Sequence, residues 1–460
     1  MNSVPTPFQQ GEAFVETIVA IATPPGNGGV GVIRISGAEL LRFVPALIQK
    51  TTLPPRVAVY SPFFDAQGQI IDSGIALFFP APHSYTGEDV IEIQAHGGAV
   101  ILDMLVKRVL ALGARLARAG EFTERAFLNN KLDLAQAEAV ADLINSSTEQ
   151  SARSAQKSMQ GVFSAKIHAL VEELTQLRIY VEAAIDFVDE DIDFLNDGVI
   201  EQRLRDLIQR LAVIQATAQQ GQLLRDGMTL VLAGKPNAGK SSLLNVLAGH
   251  DAAIVADVAG TTRDVLRERI QLDGMPLHII DTAGLHDAQD VVEREGIRRA
   301  RVEMAKADKI LLLIDARELE DDTQALIATL PPNVEIIRIY NKIDLIGRTP
   351  SIETTQYGIC CYVSIKQQQG LELLTTHLKE SMGFNAAVED VFIARRRHLE
   401  ALNTASACVL QALSQLTCSA AGELVAEDLR QAQQALAEIT GEFTSDDLLG
   451  RIFSSFCIGK

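Results

Sequence analysis

The 460 residues carry 41 lysines and arginines against 59 aspartates and glutamates, a formal charge of −18. With 47% apolar and 22% charged residues the chain is not composed for disorder, and its length suits roughly two to four domains of about 100–200 residues each. That acidic balance argues against a protein that grips nucleic acid unaided, since phosphate contacts need Lys and Arg. The basic runs Arg294–Arg301 and Arg395–Arg397 read equally well as solvated helix faces. The five cysteines, Cys360, Cys361, Cys408, Cys418 and Cys457, are odd in number and form no CxxC, which argues against a disulfide framework or a zinc site. The N-terminus lacks a basic-then-apolar signal and no apolar run is long enough for a bilayer. The expectation is a soluble, cytoplasmic protein with no membrane partner.

Residues 1 to about 130 alternate β-rich runs with Gly and Pro loops. Thr17–Ala22 and Gly31–Ser36 read as strands around the loop TPPGNGG, Ile75–Phe79 and Val90–Gln94 as further strands, and Val100–Leu112 as a helix, which together suggest an α+β domain. The acidic run Asp186–Asp193 lacks EF-hand spacing and reads as a solvated helix end, while His83 and His96 are loop candidates only. From Leu134 the pattern is helical. Phe163, Ile167, Leu170, Leu174, Leu177, Val181 and Ala184 form one apolar seam, and Leu204, Leu207, Leu211 and Ile214 repeat it. The seam returns at Val425, Leu429, Ala432, Leu436 and Ile439. A single seam needs a partner, so early and late helices are expected to form one discontinuous domain, residues 131–225 and 384–460, around an insertion at 226–383. Within the insertion Met228–Ala233, Leu277–Ile280, Lys309–Asp315 and Val334–Tyr340 are unbroken apolar runs of strand length, as a parallel α/β sheet requires.

Four motifs occur in order, each at the C-terminus of a strand. Gly234-Lys-Pro-Asn-Ala-Gly-Lys-Ser241 matches GxxxxGK[ST]. Backbone N–H groups of Asn237, Ala238, Gly239, Lys240, Ser241 and Ser242 can cradle phosphates, Lys240 can reach the β/γ-phosphates as a catalytic cation, and Ser241 can offer magnesium a hydroxyl. Asp281-Thr282-Ala283-Gly284 places a carboxylate toward magnesium and a glycine N–H toward a γ-phosphate. Asn341-Lys342-Ile343-Asp344 offers the Asp344 carboxylate to guanine N1–H and N2–H, and Ser364, Ile365 and Lys366 lie where a base-contacting loop is expected. Between the first two motifs lies Ala256-Asp257-Val258-Ala259-Gly260-Thr261-Thr262-Arg263-Asp264, in which Thr262 is the candidate second magnesium hydroxyl and Thr261 its competitor. The set points to a GTP-hydrolysing, Ras-like P-loop domain. The residue after Gly284, however, is Leu285, which cannot aim a water as a glutamine does there in Ras-like proteins.

Over its full length the chain resembles the MnmE (TrmE) family of tRNA-modification GTPases. The resemblance is carried by Thr23–Gly37 (TPPGNGGVGVIRISG), Ser84–Gly98 (SYTGEDVIEIQAHGG), Gly120–Val140 (GEFTERAFLNNKLDLAQAEAV), the GTTRD run Gly260–Asp264 and the terminal Cys457-Ile458-Gly459-Lys460. It implies potassium-dependent hydrolysis, with the ion held by the Asn237 side chain, the Ala256 and Val258 carbonyls and Thr261. A fixed cation there can neutralise charge between the β- and γ-phosphates. Ala256 departs from the threonine frequent in the family, a change that a carbonyl ligand tolerates, and His286 departs from an arginine and has no role assigned. The resemblance makes Glu293 the carboxylate that orients water through a bridging water. On the residues alone, Asn237 reads sooner as an Asx-type loop former than as a potassium ligand, and Glu293 equally as a first-turn helix glutamate.

The N-terminal part, residues 1–130, resembles the folate-binding domains of aminomethyl-transfer proteins. It implies a tetrahydrofolate one-carbon derivative, the 5-formyl form in binding terms, held by Arg34, Glu92, Lys131 and Lys460, with Cys457 a thiol nucleophile or a structural or tRNA-contacting residue. The family further implies a homodimer through this domain, and a heterotetramer or larger assembly with the flavin-dependent MnmG (GidA) partner, which carries the FAD. Together they place an aminomethyl or carboxymethylaminomethyl group on C5 of the tRNA wobble uridine. Two rival readings are an Era-like RNA-binding assembly switch and a stand-alone folate-dependent transferase with a regulatory GTPase.

Overall fold

The structure, a computed structural model, describes residues 16–186, 198–249, 267–281, 304–317, 327, 330–385, 390–419, 421–442, 446–454, 456, 457 and 459. The chain divides into two compact units, residues 1–141 with 159–176 and 430–460, and residues 142–158 with 177–429.

The first unit is built on strands β1 (Ile18–Ile21), β2 (Gly28–Gly37), β3 (Val59–Phe64), β4 (Ile70–Phe79), β5 (Asp89–Gly97) and β6 (Arg115–Leu116), in the order β3-β4-β5-β2-β1-β6. All neighbours are antiparallel except β1 and β6. Period-two alternation turns Ile33, Ile35, Ile91, Ile93, Ala76 and Phe78 into one core with Leu102, Leu105 and Val109 of the helix Ala99–Ala111. It leaves Arg34 and Glu92 on the opposite face, as direct cross-strand partners. The helix presses closely on the sheet at Gly31, where a Cβ would lie 2.6 Å from Leu102.

The second unit holds β7 (Met228–Gly234), β8 (Arg267–Leu272), β9 (Met275–Asp281), β10 (Lys309–Asp315), β11 (Glu335–Asn341), β12 (Ser351–Thr355) and β13 (Gly358–Val363). Their order is β12-β13-β11-β10-β7-β9-β8, with five parallel central strands and an antiparallel strand at each edge. Every residue of β10 is buried, which is why it reads as a continuous apolar run. The register aligns Gly234 with Leu313, Asp315 with Asn341 and Asn341 with Val363, so the loops after β7, β10, β11 and β13 open at one end of the sheet. That end is where open α/β sheets bind ligands.

All seven residues of the seam from Phe163 to Ala184 are buried, as are Leu204, Leu207, Leu211 and Ile214 on the helix Val199–Asp226. The partner of this last helix is Arg396–Ser419, where Gln215 donates to the Leu402 carbonyl at 3.1 Å and Leu402, Ala405, Val409 and Ala412 are buried. The chain therefore enters the sheet at Gly227 and leaves it toward Arg395 at neighbouring points. One carboxylate joins the two crossings: Asp142 accepts from Arg225 Nε at 2.9 Å and from Arg395 Nη2 at 2.8 Å. At the same place Gly221 has no room for a Cβ, which would fall 1.8 Å from the Phe392 carbonyl oxygen. Gly221→Ala is expected to force these two crossings apart and lower the thermal midpoint by several degrees, corresponding to about 1–3 kcal/mol of overpacking; an unchanged midpoint in scanning calorimetry would contradict the close approach.

Candidate functional site

The loop after β7 is shaped by residues with unusual backbone. Gly234, Asn237 and Gly239 have φ of 148°, 62° and 110°. Gly239 also faces the Asn341 amide, with a would-be Cβ only 2.4 Å from Nδ2, so no larger residue fits. Lys240 opens the helix Lys240–Gly249 and is buried, its ammonium donating to the Gly234 carbonyl at 2.7 Å and to that of Lys235 at 3.1 Å. Ser241 and Ser242 are exposed on the first turn.

Asn341, buried at the end of β11, is the hub of this end of the sheet. Its Nδ2 donates to the Ala238 carbonyl at 2.9 Å, and its Oδ1 accepts from the N–H groups of Lys342 at 2.8 Å and Ile365 at 3.1 Å. One amide side chain thus locks the loop after β7 to the loops after β11 and β13. Asp344 Oδ1 accepts from Ser364 Oγ at 2.6 Å. Ser364 is itself fixed by a pair of 3.0 Å backbone bonds with Gln369. Lys342 reaches across to Asp315 Oδ2 at 2.7 Å. The Arg317 guanidinium, and then Lys342, hold the Asp315 carboxyl well below the usual carboxylate range. Lys366 is exposed beside these residues. β9 ends on Asp281, whose side chain lies outside the described residues. So do Ala256, Asp257, Val258, Ala259, Gly260, Thr261, Thr262, Thr282, Ala283, Gly284, Glu293 and Lys460, together with His286 and most of the acidic run after Asp186.

In the first unit Arg34 Nε donates to Glu92 Oε1 at 2.9 Å, and Nη1 to the Gly459 carbonyl at 3.3 Å. The guanidinium lies over the rings of Tyr85 and Phe122, 5.4 and 5.8 Å from their centroids. The Tyr85 hydroxyl is fixed on Thr123 Oγ1 at 2.9 Å. Cys457 and Gly459, near the C-terminus, are seated against the domain. The Cys457 carbonyl accepts from Gly120 N at 3.4 Å, and Gly459, at φ 95°, would put a Cβ 2.4 Å from the Ile21 carbonyl oxygen. Cys457 itself is exposed. The fold thus brings Arg34, Glu92 and the terminal segment together, whereas Lys131 is bonded at 3.0 Å to the Pro82 carbonyl of the neighbouring loop.

Beneath this cluster lies a charged network that sequence reasoning missed. Arg125 and Glu121 are fully buried. Arg125 donates to Glu88 at 2.9 and 3.2 Å, to Glu121 at 3.1 Å and to the Glu16 carbonyl at 3.0 Å. Burial alone would raise the Glu121 carboxyl, but Arg115, the Arg118 N–H and Arg125 outweigh it and hold it at about 2. Tyr85, Phe122, Glu121 and Arg125 all lie within the stretches Ser84–Gly98 and Gly120–Val140, but nothing local distinguishes a buried charge on a helix from a solvated one. His96 pairs with Asp72 at 2.8 Å, and the His83 carbonyl accepts from Arg56. Among the described residues no cluster of His, Cys, Asp and Glu is arranged to hold a metal, and no helix is long and apolar enough to cross a membrane.

Residues 17–131 match the family of the GTP-binding protein TrmE N-terminus, and residues 134–457 the MnmE helical domain family. The tRNA modification GTPase MnmE of Yersinia pestis bv. Antiqua (strain Angola) is 58% identical over 452 residues, covering 97% of this chain and 99% of that protein. That of Hydrogenovibrio crunogenus is 56% identical over 446 residues, again 97% and 99%. Among solved structures, Aquifex aeolicus Era bound to GDP and aluminium fluoride aligns with 39% of this chain and 66% of its own at 23% identity and a TM-score of 0.26. A GTP-binding protein from Sulfolobus solfataricus in complex with GDP aligns with 46% and 66% at 16% identity and a TM-score of 0.25. Matching its relatives at more than half of all positions along nearly the whole of both chains, this chain belongs to the MnmE family of tRNA modification GTPases.

Proposed function

We propose that the chain is a potassium-dependent GTP hydrolase. With a flavin-dependent partner of the MnmG type that carries FAD, it adds an aminomethyl or carboxymethylaminomethyl group to C5 of the tRNA wobble uridine. The observation that carries the nucleotide reading is the Asn341 amide, which locks the phosphate-loop candidate to the two base-reading loops. In this reading Asp344 takes guanine N1–H and N2–H. Lys240 leaves the Gly234 and Lys235 carbonyls for phosphate oxygens. Gly239, at φ 110° and pressed against the Asn341 amide, lets the loop hold the turn that aims its backbone N–H groups at phosphate. The exposed Ser241 hydroxyl, with Thr262, suits a magnesium ion. The exposed Asn237, at left-handed φ, with the Ala256 and Val258 carbonyls and Thr261, suits a potassium ion. Bound there, these cations would supply charge neutralisation at the phosphates. Asp281 to Gly284 would line the γ-phosphate side, and Glu293 would orient the water that Leu285 cannot.

Arg34, Glu92, Lys131 and Lys460 together suit a folate one-carbon derivative, whose polar pterin and glutamate tail need a carboxylate acceptor and cations. The close chain crossings at Gly221–Arg225 and Phe392–Arg395 support a division into an N-terminal domain, 1–130, a helical domain, 131–225 and 384–460, and an inserted GTPase domain, 226–383. A homodimer through the N-terminal domain, acting in the cytoplasm on tRNA, completes the reading. The charge of −18 leaves the partner to supply much of the basic surface.

GTP turnover measured in equimolar KCl and NaCl tests the mechanism. The expected result is a rate about 10²-fold higher in KCl, lost in Asn237→Ala, and a parallel loss in Glu293→Ala with nucleotide affinity kept. Equal rates in the two salts would remove the potassium step. Modified uridine formed without any flavin partner would favour the stand-alone transferase instead.

A further inference from the structure

The loop that carries Asp344 is weakly anchored by apolar contacts. From Lys342 to Arg348 only Ile343 is buried, and Leu345, Ile346, Gly347 and Arg348 are exposed. Backbone bonds fold the segment tightly, from Leu345 N to Lys342 O at 3.0 Å, Ile346 N to Ile343 O at 3.1 Å and Arg348 N to Ile343 O at 3.3 Å. Its far end is tied by the entry into β12 at Ser351 and by the Arg348 side chain. The Arg348 Cζ lies 3.3 Å from the centroid of the Tyr362 ring, and Tyr362 stacks on Tyr340 with centroids 4.9 Å apart and planes at 12°. Arg348 Nη2 also donates to Glu353 Oε1 at 2.7 Å, an oxygen that accepts from Ser351 Oγ at 2.8 Å. Tyr340 and Tyr362 are register partners across β11 and β13, one residue before Asn341 and two before Ser364. The stack therefore stands on the same two strand ends that carry the Asn341 hub and the hydroxyl holding Asp344.

We propose that Arg348 is a specificity-determining positioning residue: by stacking on Tyr362 it fixes the end of the Lys342–Arg348 loop, so that both Asp344 oxygens face a purine that offers two donors. The inference rests on the reading of Asp344 as the guanine acceptor. Ser364 orients one carboxylate oxygen, and the path of the loop backbone orients the carboxylate as a whole. When the far end is freed, two hydrogen bonds to N1–H and N2–H can no longer be held at once. Hypoxanthine has N1–H but no 2-amino group, so it needs only one of them. A loosened loop thus weakens guanine more than hypoxanthine, whereas a general loss of stability weakens both alike.

The test is calorimetric titration of the full chain with GDP and with IDP. Wild type is expected to prefer GDP. In Arg348→Gln the GDP Kd rises about fivefold, ~1 kcal/mol at 1.4 kcal/mol per tenfold and the size of one exposed cation–π contact. The IDP Kd changes by less than about twofold, so the ratio narrows. Arg348→Lys loses the planar stack but keeps part of the cation–π attraction, so its ratio falls between wild type and Arg348→Gln. Tyr362→Leu narrows the ratio too, and adding Arg348→Gln to it has no further effect. A GDP-to-IDP ratio unchanged in Arg348→Gln overturns the role of Arg348 while leaving Asp344 in place. A wild type that binds GDP and IDP equally overturns the Asp344 reading and this inference with it.

Discussion

Asp344→Asn is expected to lower affinity for GTP by about 10²–10⁴-fold and to create affinity for the xanthine nucleotide that the unaltered chain lacks. The carboxylate is a pure acceptor, and guanine offers it two donors, N1–H and N2–H, each bond to a charged group contributing about 1.5–3 kcal/mol. An amide in its place keeps one acceptor and adds an NH₂, which meets the guanine amino group donor against donor. Xanthine carries a carbonyl at C2 and so accepts from that NH₂, restoring two bonds. Ser364 Oγ, 2.6 Å from Asp344 Oδ1, donates as well to an amide oxygen as to a carboxylate, so it holds the new side chain in the same orientation. Titration with guanosine and xanthosine diphosphates checks this. Loss of the guanosine nucleotide with no gain of the xanthosine one, or no change in either, would place base recognition elsewhere. Asn341→Ala differs in kind: it unties the loops after β7, β11 and β13 together, so every nucleotide is weakened without exchange of preference.

The two outcomes differ because motif and geometry carry different information. Gly234–Ser241, Asp281, Asn341–Asp344 and Ser364–Lys366 are legible in sequence because each follows a strand that stops at the same end of the sheet. The helical seams are legible for the same reason, since residues spaced by three and four must all turn inward. The edge strands are not. β3 contains Pro62, which is tolerated because β3 pairs on one side only, and β8 (RERIQL) and β12 (SIETT) are mostly charged or polar, as exposed edges are. The Asn341 hub is illegible for another reason: it joins residues 103 and 24 positions away, and no local pattern encodes that contact. The cluster around Arg34 is half legible, because alternation exposes Arg34 and Glu92 on one face but cannot announce the rings of Tyr85 and Phe122.

Arg125→Met is expected to destabilise the first unit by about 3–5 kcal/mol, because methionine fills the volume and leaves two carboxylates without their shared cation. Glu88 keeps Ser36 Oγ at 2.8 Å and Glu121 keeps Arg115, so the loss should fall toward the lower figure. The chain has no tryptophan, so amide hydrogen exchange on the helix Glu121–Leu128 is the suitable readout. Exchange there should speed up by the factor that this free energy sets, while exchange on β10 in the second unit stays as it was. The pH dependence separates charge from packing. Glu121 has its carboxyl depressed to about 2 in the folded chain. Its contribution is therefore fully present above the ordinary carboxylate range near 4.3, and is lost as pH falls from there through about 2. Glu121→Gln removes that titration, so the stability gap between the unaltered chain and Glu121→Gln should shrink as pH falls through this window. A gap that stays constant with pH would mean that Glu121 contributes by shape and hydrogen bonding rather than by its charge. The cluster holding Arg34, Tyr85 and Phe122 would then rest on packing instead of on a buried ion network.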